Sequence, residues 1–159
     1  MLKQRKVISG MLVVGFVLCV VASAGAEVKL PRIFWDHMVL QRGIAVPVWG
    51  TATAGDTITV RFAGQTKTAK ADKDGKWRIA LDPLKASSEA RILAVQSKID
   101  NRKSTFSNVL VGEVWFCSGQ SNMVWPVNRS ADAEKEIAAA KYPLIRHARG
   151  DIGRWNVIS

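Results

Sequence analysis

Acidic residues are scarce in this sequence of 159 residues, and the imbalance narrows the choice of partners. There are 13 Asp and Glu against 23 Lys and Arg, so the formal net charge is +10. Such a balance favours an anionic partner or a membrane surface. No run of Lys and Arg interleaved with aromatic residues occurs, however, so the sequence predicts no nucleic-acid partner. The hydrophobic content of 48% is that of a globular protein that can build a core.

Cysteine is nearly absent, which excludes a disulfide framework. The two cysteines are Cys19 and Cys117, and Cys19 belongs to the leader described next. Removal of the leader leaves Cys117 alone, so no intramolecular disulfide is expected. Cys117 as a nucleophile is an alternative, but it follows an apolar run, where a buried thiol behaves as a small hydrophobe. The structural interpretation is favoured.

The N-terminus is typical of an export signal over residues 1–26. Lys3, Arg5 and Lys6 form a basic start, and residues 11–21 form an apolar stretch that ends in small residues. The rival interpretation is an uncleaved anchor, because residues 7–26 carry no charge and are about long enough to span a bilayer. Cleavage is favoured, so we expect a periplasmic or secreted protein with no stable membrane association after cleavage.

Residues 27–110 alternate short β-forming runs with turn residues every 8–12 positions, which predicts an all-β sandwich or barrel. The predicted strands are Ile33–Trp35, Met38–Leu40, Ala45–Thr51, Thr57–Phe62, Thr66–Ala71, Trp77–Leu81, Ala90–Ser97 and Lys103–Val109. The Asp72–Gly75 segment could suggest a calcium loop, but its spacing is wrong for one, and a hairpin turn is expected. The tryptophans, spaced one per strand, favour core packing over a sugar-stacking platform. For His37 a structural role is expected.

The stretch from Val109 to Met123 carries the strongest chemical signal. It begins as an apolar run typical of a strand buried on both faces, as in a parallel sheet. It then changes to Ser118-Gly119-Gln120-Ser121-Asn122. A strand that ends in a small polar turn is how α/β hydrolases present a nucleophile, although an ordinary strand exit has the same composition. The segment is not a Gly-x-Ser-x-Gly elbow, because Met123 stands in place of the second Gly.

Three blocks of this sequence resemble the sialate O-acetylesterase family, a branch of the SGNH (GDSL-like) hydrolases. They are Asp36–Arg42 followed by residues 46–50, Asp72–Trp77, and Gly112–Met123 followed by Trp125-Pro126. The resemblance covers roughly residues 30–126 in the family's order and spacing. It implies that Ser121 is the nucleophile and that Gly119, Gln120 and Asn122 are its neighbours at the oxyanion hole, with no metal and no cofactor. Val124 departs from the family, which usually has an acidic residue there.

Residues 111–159 are predicted to begin an α/β domain that stops early. Ser130 is expected to cap a helix over residues 131–141, and residues 144–148 are expected to form a second strand. A strand, a nucleophile turn, a helix and a strand are the beginning of a flavodoxin-like SGNH hydrolase domain. Two strands cannot complete such a sheet, so the sequence is interpreted as an N-terminal fragment.

The sequence does not contain the pattern that carries the catalytic base in the family. Members of the family commonly carry it late in the chain in an Asp-x-x-His pattern, and neither His37 nor His147 has an Asp three residues before it. The resemblance therefore implies a serine esterase that hydrolyses O-acetyl groups of sialic acid or a related glycan through an acetyl-serine intermediate. The isolated 159-residue chain is expected to be inactive. The alternative is a non-catalytic β-sandwich module that binds glycans or supports a neighbouring domain.

Overall fold

The computed structural model describes residues 28–148 and the backbone of 149 and 154–157, and these residues are mostly β-strand. The strands are β1 (Val39–Gln41), β2 (Val46–Thr51), β3 (Thr57–Phe62), β4 (Gln65–Lys70), β5 (Lys76–Leu81), β6 (Ser87–Ser97), β7 (Lys103–Gly112), β8 (Arg146–Arg149) and β9 (Arg154–Val157). The helix α1 spans Ala133–Ala139, and two 3₁₀ helices span Ser121–Val124 and Val127–Arg129. The predicted export signal lies outside the described residues. Among those described, no helix has the length and apolar character needed to cross a bilayer.

The larger sheet has five strands in the order β1-β7-β6-β3-β4. Strand β3, which lies between β6 and β4, alternates between the two faces, with Ile58, Val60 and Phe62 buried. This is the period of two that a strand with one buried face requires. The strand bounds predicted for Thr57–Phe62 are confirmed, and those of six other predicted strands are right to within a few residues.

A second sheet, formed by β2 and β5, shares one hydrophobic core with the larger sheet. Its inward positions alternate with exposed ones, so that Val46 and Val48 on β2 lie beside Ile79 and Leu81 on β5. These residues join Leu93 and its neighbours from the larger sheet in one buried cluster. Each fully buried aliphatic side chain of this kind contributes about 1.5–3 kcal/mol. The shared core is what holds the two sheets together.

Two turns differ in what they connect: one joins paired strands of the same sheet, and the other joins the two sheets. Ala63 and Gly64 both have positive φ (48° and 78°) and join β3 to β4 as a tight hairpin. The Asp72–Gly75 turn was predicted as a hairpin, and that is wrong, because β4 and β5 belong to different sheets. Gly75 has φ of 74°, and a Cβ there would overlap the carbonyl oxygen of Ala52. The turn therefore carries the chain from one sheet to the other at a point with no space for a side chain.

The predicted strand Ile33–Trp35 is also wrong, because this segment forms turns. The N–H of Phe34 donates to the carbonyl of Pro31 at 3.0 Å, and the N–H of Met38 donates to that of Trp35 at 3.4 Å. His37 lies in the second turn with φ of 67°. After these turns the chain enters β1, which runs parallel to β7.

The strand predicted over Lys103–Val109 extends to Gly112, but the rest of the apolar run that was expected to be strand does not continue it. Val109, Leu110 and Val111 are buried between β1 and β6, as expected for a strand covered on both faces. The strand ends at Gly112, however, and Trp115 and Phe116 are 83% and 93% exposed. In the described part of the chain no strand or helix covers these two rings.

Beyond the 3₁₀ helices, the helix is present but its predicted cap is wrong. Asp132, not Ser130, occupies the N-cap position, with φ of 54° and no side-chain capping hydrogen bond. The second predicted strand is present as β8, but it pairs antiparallel with β9 in a separate sheet. Within the described residues it does not pair with β7, so the expected parallel pair is not formed there. Nearly all side chains from Glu113 to Ala148 are exposed or half-exposed.

Candidate active site

The end of β1 holds the chain where it leaves β7 toward the candidate nucleophile. Gln41 lies opposite Gly112 in the parallel pair, and the N–H of Arg42 donates to the carbonyl of Gly112 at 2.9 Å. The side chain of Gln41 accepts the N–H of Val114 through Oε1 at 2.7 Å and donates through Nε2 to Oε2 of Glu113 at 2.9 Å. Arg42 Nε lies 2.5 Å from Oε1 of Glu113. The end of β1 therefore binds both the backbone and a carboxylate of the segment that follows β7. We call this segment, residues 113–117, the exit segment.

The turn before β1, which contains Asp36 and His37, contacts β7 at Ser107 and Asn108. Oδ1 of Asp36 accepts the N–H of Ser107 at 2.6 Å and its hydroxyl at 2.9 Å. The ring Nδ1 of His37 lies 2.7 Å from Nδ2 of Asn108, and Oδ1 of Asn108 lies 3.4 Å from a guanidinium nitrogen of Arg146. With the amide nitrogen donating, His37 accepts at Nδ1 and carries its proton on Nε2. His37 is therefore engaged in a structural contact with β7.

The two carboxylates of this region are poorly suited to proton transfer at neutral pH. Hydrogen bonds from the backbone and then the hydroxyl of Ser107 hold the pKa of Asp36 below its usual range. Those from Gln41 and then Arg42 do the same for the pKa of Glu113. A general acid or base works best when its pKa is near the working pH, and these shifts go the other way. Asp36 and Glu113 therefore act as ionised anchors of the exit segment.

Ser121 begins the first 3₁₀ helix, seven residues after the anchored Val114. The carbonyl of Gln120 accepts the N–H of Met123 at 2.9 Å, and the carbonyl of Asn122 accepts the N–H of Trp125 at 3.3 Å. A Cβ at Gly119 would lie 2.6 Å from Cγ of Met123, so the absence of a side chain there lets the turn fold back on itself. All four predicted site residues, Gly119 to Asn122, are exposed and contiguous.

No base is in contact with Ser121 in the part of the chain that the structure describes. Its hydroxyl makes no hydrogen bond there. His147 and the alternative nucleophile Cys117 instead line a cavity of about 850 Å³ between residues 113–117 and β8. Ser121 is not among the residues that line it. Among the described residues no group of three or more His, Cys, Asp or Glu could hold a metal ion.

The roles of Gln41, Arg42 and Glu113 were not predicted from the sequence. All three lie inside blocks quoted for the family resemblance, but the blocks are separated by about 70 residues and nothing in their spacing predicts contact. The only available signal was the resemblance of both blocks at once. Their joint function, anchoring the segment that presents Ser121, is visible only in the structure.

Comparisons with known proteins point to one family. No protein-family model matches the chain. Over 147 residues it is 33% identical to the sialate O-acetylesterase of Mus musculus, covering 84% of this chain and 27% of the mouse protein. The human sialate O-acetylesterase is 35% identical over 150 residues, covering 85% of this chain and 28% of the human protein.

A solved structure gives the same result. A carbohydrate acetylesterase from Xanthomonas citri superposes with a TM-score of 0.74 at 33% sequence identity, covering 82% of this chain and 32% of that chain. The chain thus spans 27–28% of the length of these two curated relatives. The resemblance drawn from the sequence blocks is confirmed.

Proposed function

We propose that this chain, which belongs to the sialate O-acetylesterase family, supplies the serine nucleophile and the supporting β domain of an exported carbohydrate esterase. The observation that carries the proposal is the position of Ser121. It is exposed at the start of a tight turn, and the segment before it is anchored at Glu113 and Val114 by Gln41. A nucleophile needs both access for the substrate and a fixed position.

The proposed reaction is acyl transfer through the hydroxyl of Ser121. Its Oγ attacks the carbonyl carbon of an O-acetyl group while a base takes the hydroxyl proton, and the sugar oxygen leaves with a proton returned by that base. Water then hydrolyses the acetyl-Ser121 ester to acetate and free serine. Backbone N–H groups among Gly119, Gln120 and Asn122 are proposed to bind the oxyanion, since donors at that point stabilise the charge that develops. No metal or cofactor is required for this sequence of steps.

The proposed substrate is an O-acetylated sugar, sialic acid or a related glycan. The support comes from the printed names of the relatives, sialate O-acetylesterases and a carbohydrate acetylesterase. Residues 27–110 are proposed to form a β-sandwich domain, because the two sheets share one core. Residues 111–159 are proposed to begin the SGNH hydrolase domain, with residues 1–26 as a signal peptide that directs the protein to the periplasm or outside the cell.

We propose further that the 159-residue chain has almost no esterase activity by itself. The described residues place no base against Ser121, and the chain corresponds to 27% of the length of the mouse relative. Loss of the histidine of a serine triad lowers kcat by about 10⁶, leaving roughly 10³–10⁴ over the uncatalysed rate. The exposed rings of Trp115 and Phe116 are consistent with a surface that further polypeptide covers.

The test compares this chain with a chimera that adds the remaining part of the Xanthomonas citri enzyme. We expect fluorophosphonate labelling and hydrolysis of an acetylated chromogenic ester to be near background for the chain alone and to appear in the chimera. Ser121→Ala should abolish both in the chimera. Ser118→Ala, a matched change three residues away in the same exposed segment, should leave them intact.

Three outcomes would contradict the proposal. Chimera activity that is indifferent to Ser121→Ala would remove Ser121 as the nucleophile. Activity of the short chain that survives Ser121→Ala but is lost in Cys117→Ala or His147→Ala would assign catalysis to the neighbouring cavity. A folded chimera without activity would favour the non-catalytic module.

A further inference from the structure

A cavity of about 760 Å³ lies on the β2–β5 sheet, away from the Ser121 segment. The register of this sheet places Trp49 directly opposite Arg78, and Thr51 opposite Lys76, on the exposed face. The opposite face of the same strands packs into the core. The cavity is therefore an outer surface of the β domain, within the volume range of small-ligand sites, about 300–1,000 Å³.

The charge of this cavity is strongly one-sided. Four cationic side chains line it, Lys29, Lys70, Lys76 and Arg78, and within the described residues none of them forms an ion pair. Asp72 is the one acidic residue among the lining residues described. Its Oδ1 already accepts two backbone N–H groups, from residues 74 and 76, at 2.9 and 2.8 Å. Concave surfaces lined by one sign of charge concentrate ligands of the opposite sign.

The cavity also offers an aromatic surface. Trp49 is 39% exposed, and its ring is fixed by an edge contact with the buried ring of Phe34, at 5.0 Å between centroids. Trp77 also lines the cavity, but it is 4% exposed and belongs to the core, so Trp49 supplies the aromatic surface.

We infer that this cavity binds the carboxylate of an acidic saccharide, with the ring of the sugar against Trp49 and the carboxylate among Lys70, Lys76 and Arg78. The requirement for an anion rests on the cavity alone, while the choice of a saccharide rests on the proposed carbohydrate-esterase function. An amphipathic indole presents an apolar face to a ring and a polar edge to solvent, and the lysine and arginine heads pair with the acid. The site holds the glycan and takes no part in the chemistry at Ser121.

The experiment measures binding to the 159-residue chain by amide and indole NMR shifts. The probes are the methyl glycoside of sialic acid and the same glycoside with its carboxylate reduced to an alcohol. We expect the acid, and not the alcohol, to shift the Trp49 indole and the amides of β2 and β5. Raising the salt concentration should weaken this binding, because exposed charges are screened within about 10 Å at 0.1 M.

A pair of double variants separates a built site from general electrostatic attraction. Lys70→Gln with Arg78→Gln should weaken binding by at least about fivefold, as expected when anchoring contacts are lost. Lys98→Gln with Lys103→Gln removes the same charge from exposed positions outside the cavity and should leave the affinity unchanged.

Equal weakening in the two double variants, equal binding of the acid and the alcohol, or shifts confined to another surface would each overturn the inference. Tighter binding of anionic lipid vesicles through the same residues would assign the cavity to a membrane surface instead. Because turnover is not measured, failure here leaves the Ser121 proposal standing. Loss of esterase activity in Ser121→Ala likewise leaves this binding site untouched.

Discussion

Replacement of Ser97 by Ala tests the buried polar contact that ties the β6–β7 hairpin to β3. Ser97 and Asp56 are both fully buried. The hydroxyl of Ser97 donates to Oδ2 of Asp56 at 2.5 Å and accepts the N–H of Asp100 at 3.0 Å. The other carboxylate oxygen, Oδ1, accepts the N–H of Ile99 at 3.1 Å. One carboxylate and one hydroxyl thus organise the whole turn.

The expected cost follows from these two bonds. A hydrogen bond to a charged group contributes about 1.5–3 kcal/mol and a neutral one about 1 kcal/mol, while an unsatisfied buried oxygen adds a penalty. Ser97→Ala removes one bond of each kind, so we expect a loss of about 2.5–4 kcal/mol in the free energy of unfolding. The bond from Ile99 to Oδ1 of Asp56 remains and keeps the loss toward the lower part of that range.

The assay is urea unfolding followed by tryptophan fluorescence, which reports on Trp77 in the core. The midpoint urea concentration should fall, while the slope of the unfolding free energy against urea concentration stays constant, as for a change in stability alone. Ser88→Ala removes an exposed hydroxyl without a hydrogen bond among the described residues and should change the stability by less than about 0.5 kcal/mol. A similarly small effect of Ser97→Ala would refute the reasoning.

The remaining predictions concern a turn, a pH dependence and local stability. Gly75→Ala should destabilise the protein more than Gly64→Ala in the same urea assay: both glycines have positive φ, where a side chain costs about 1–2 kcal/mol, but only at Gly75 does the added Cβ overlap backbone. Equal effects would contradict the steric argument. The lowered pKa of Asp36 means that its contribution to stability is complete above its unfolded pKa of about 4 and is lost as the pH falls through the folded pKa. The stability of Asp36→Asn should therefore depend less on pH below about 5 than that of the wild type, and parallel curves would refute this. Hydrogen exchange should show strong protection in β3, β6 and β7 and little beyond Met123, because side chains there are exposed; strong protection of α1 would contradict it.

Local patterns in the sequence determined most of the β region of this protein. Alternation in Thr57–Phe62 and the positive φ tolerated at Gly64 act within one strand or one turn, so they are readable without knowing the fold. The same holds for the candidate nucleophile. The change from an apolar run to Gly119–Asn122 and the resemblance of the surrounding blocks point to Ser121 as the proposed nucleophile.

The tertiary structure decided what the segments contact. Asp72–Gly75 has the composition of a hairpin, yet it joins two sheets, because pairing depends on which strands bury their faces together. The anchoring of Glu113 by Gln41 and Arg42 joins residues about 70 positions apart, a distance over which no periodic pattern extends. The cations around Trp49, which form no ion pair within the described residues, come from β4, from β5 and from Lys29 before β1, and only the tertiary fold brings them to a single cavity.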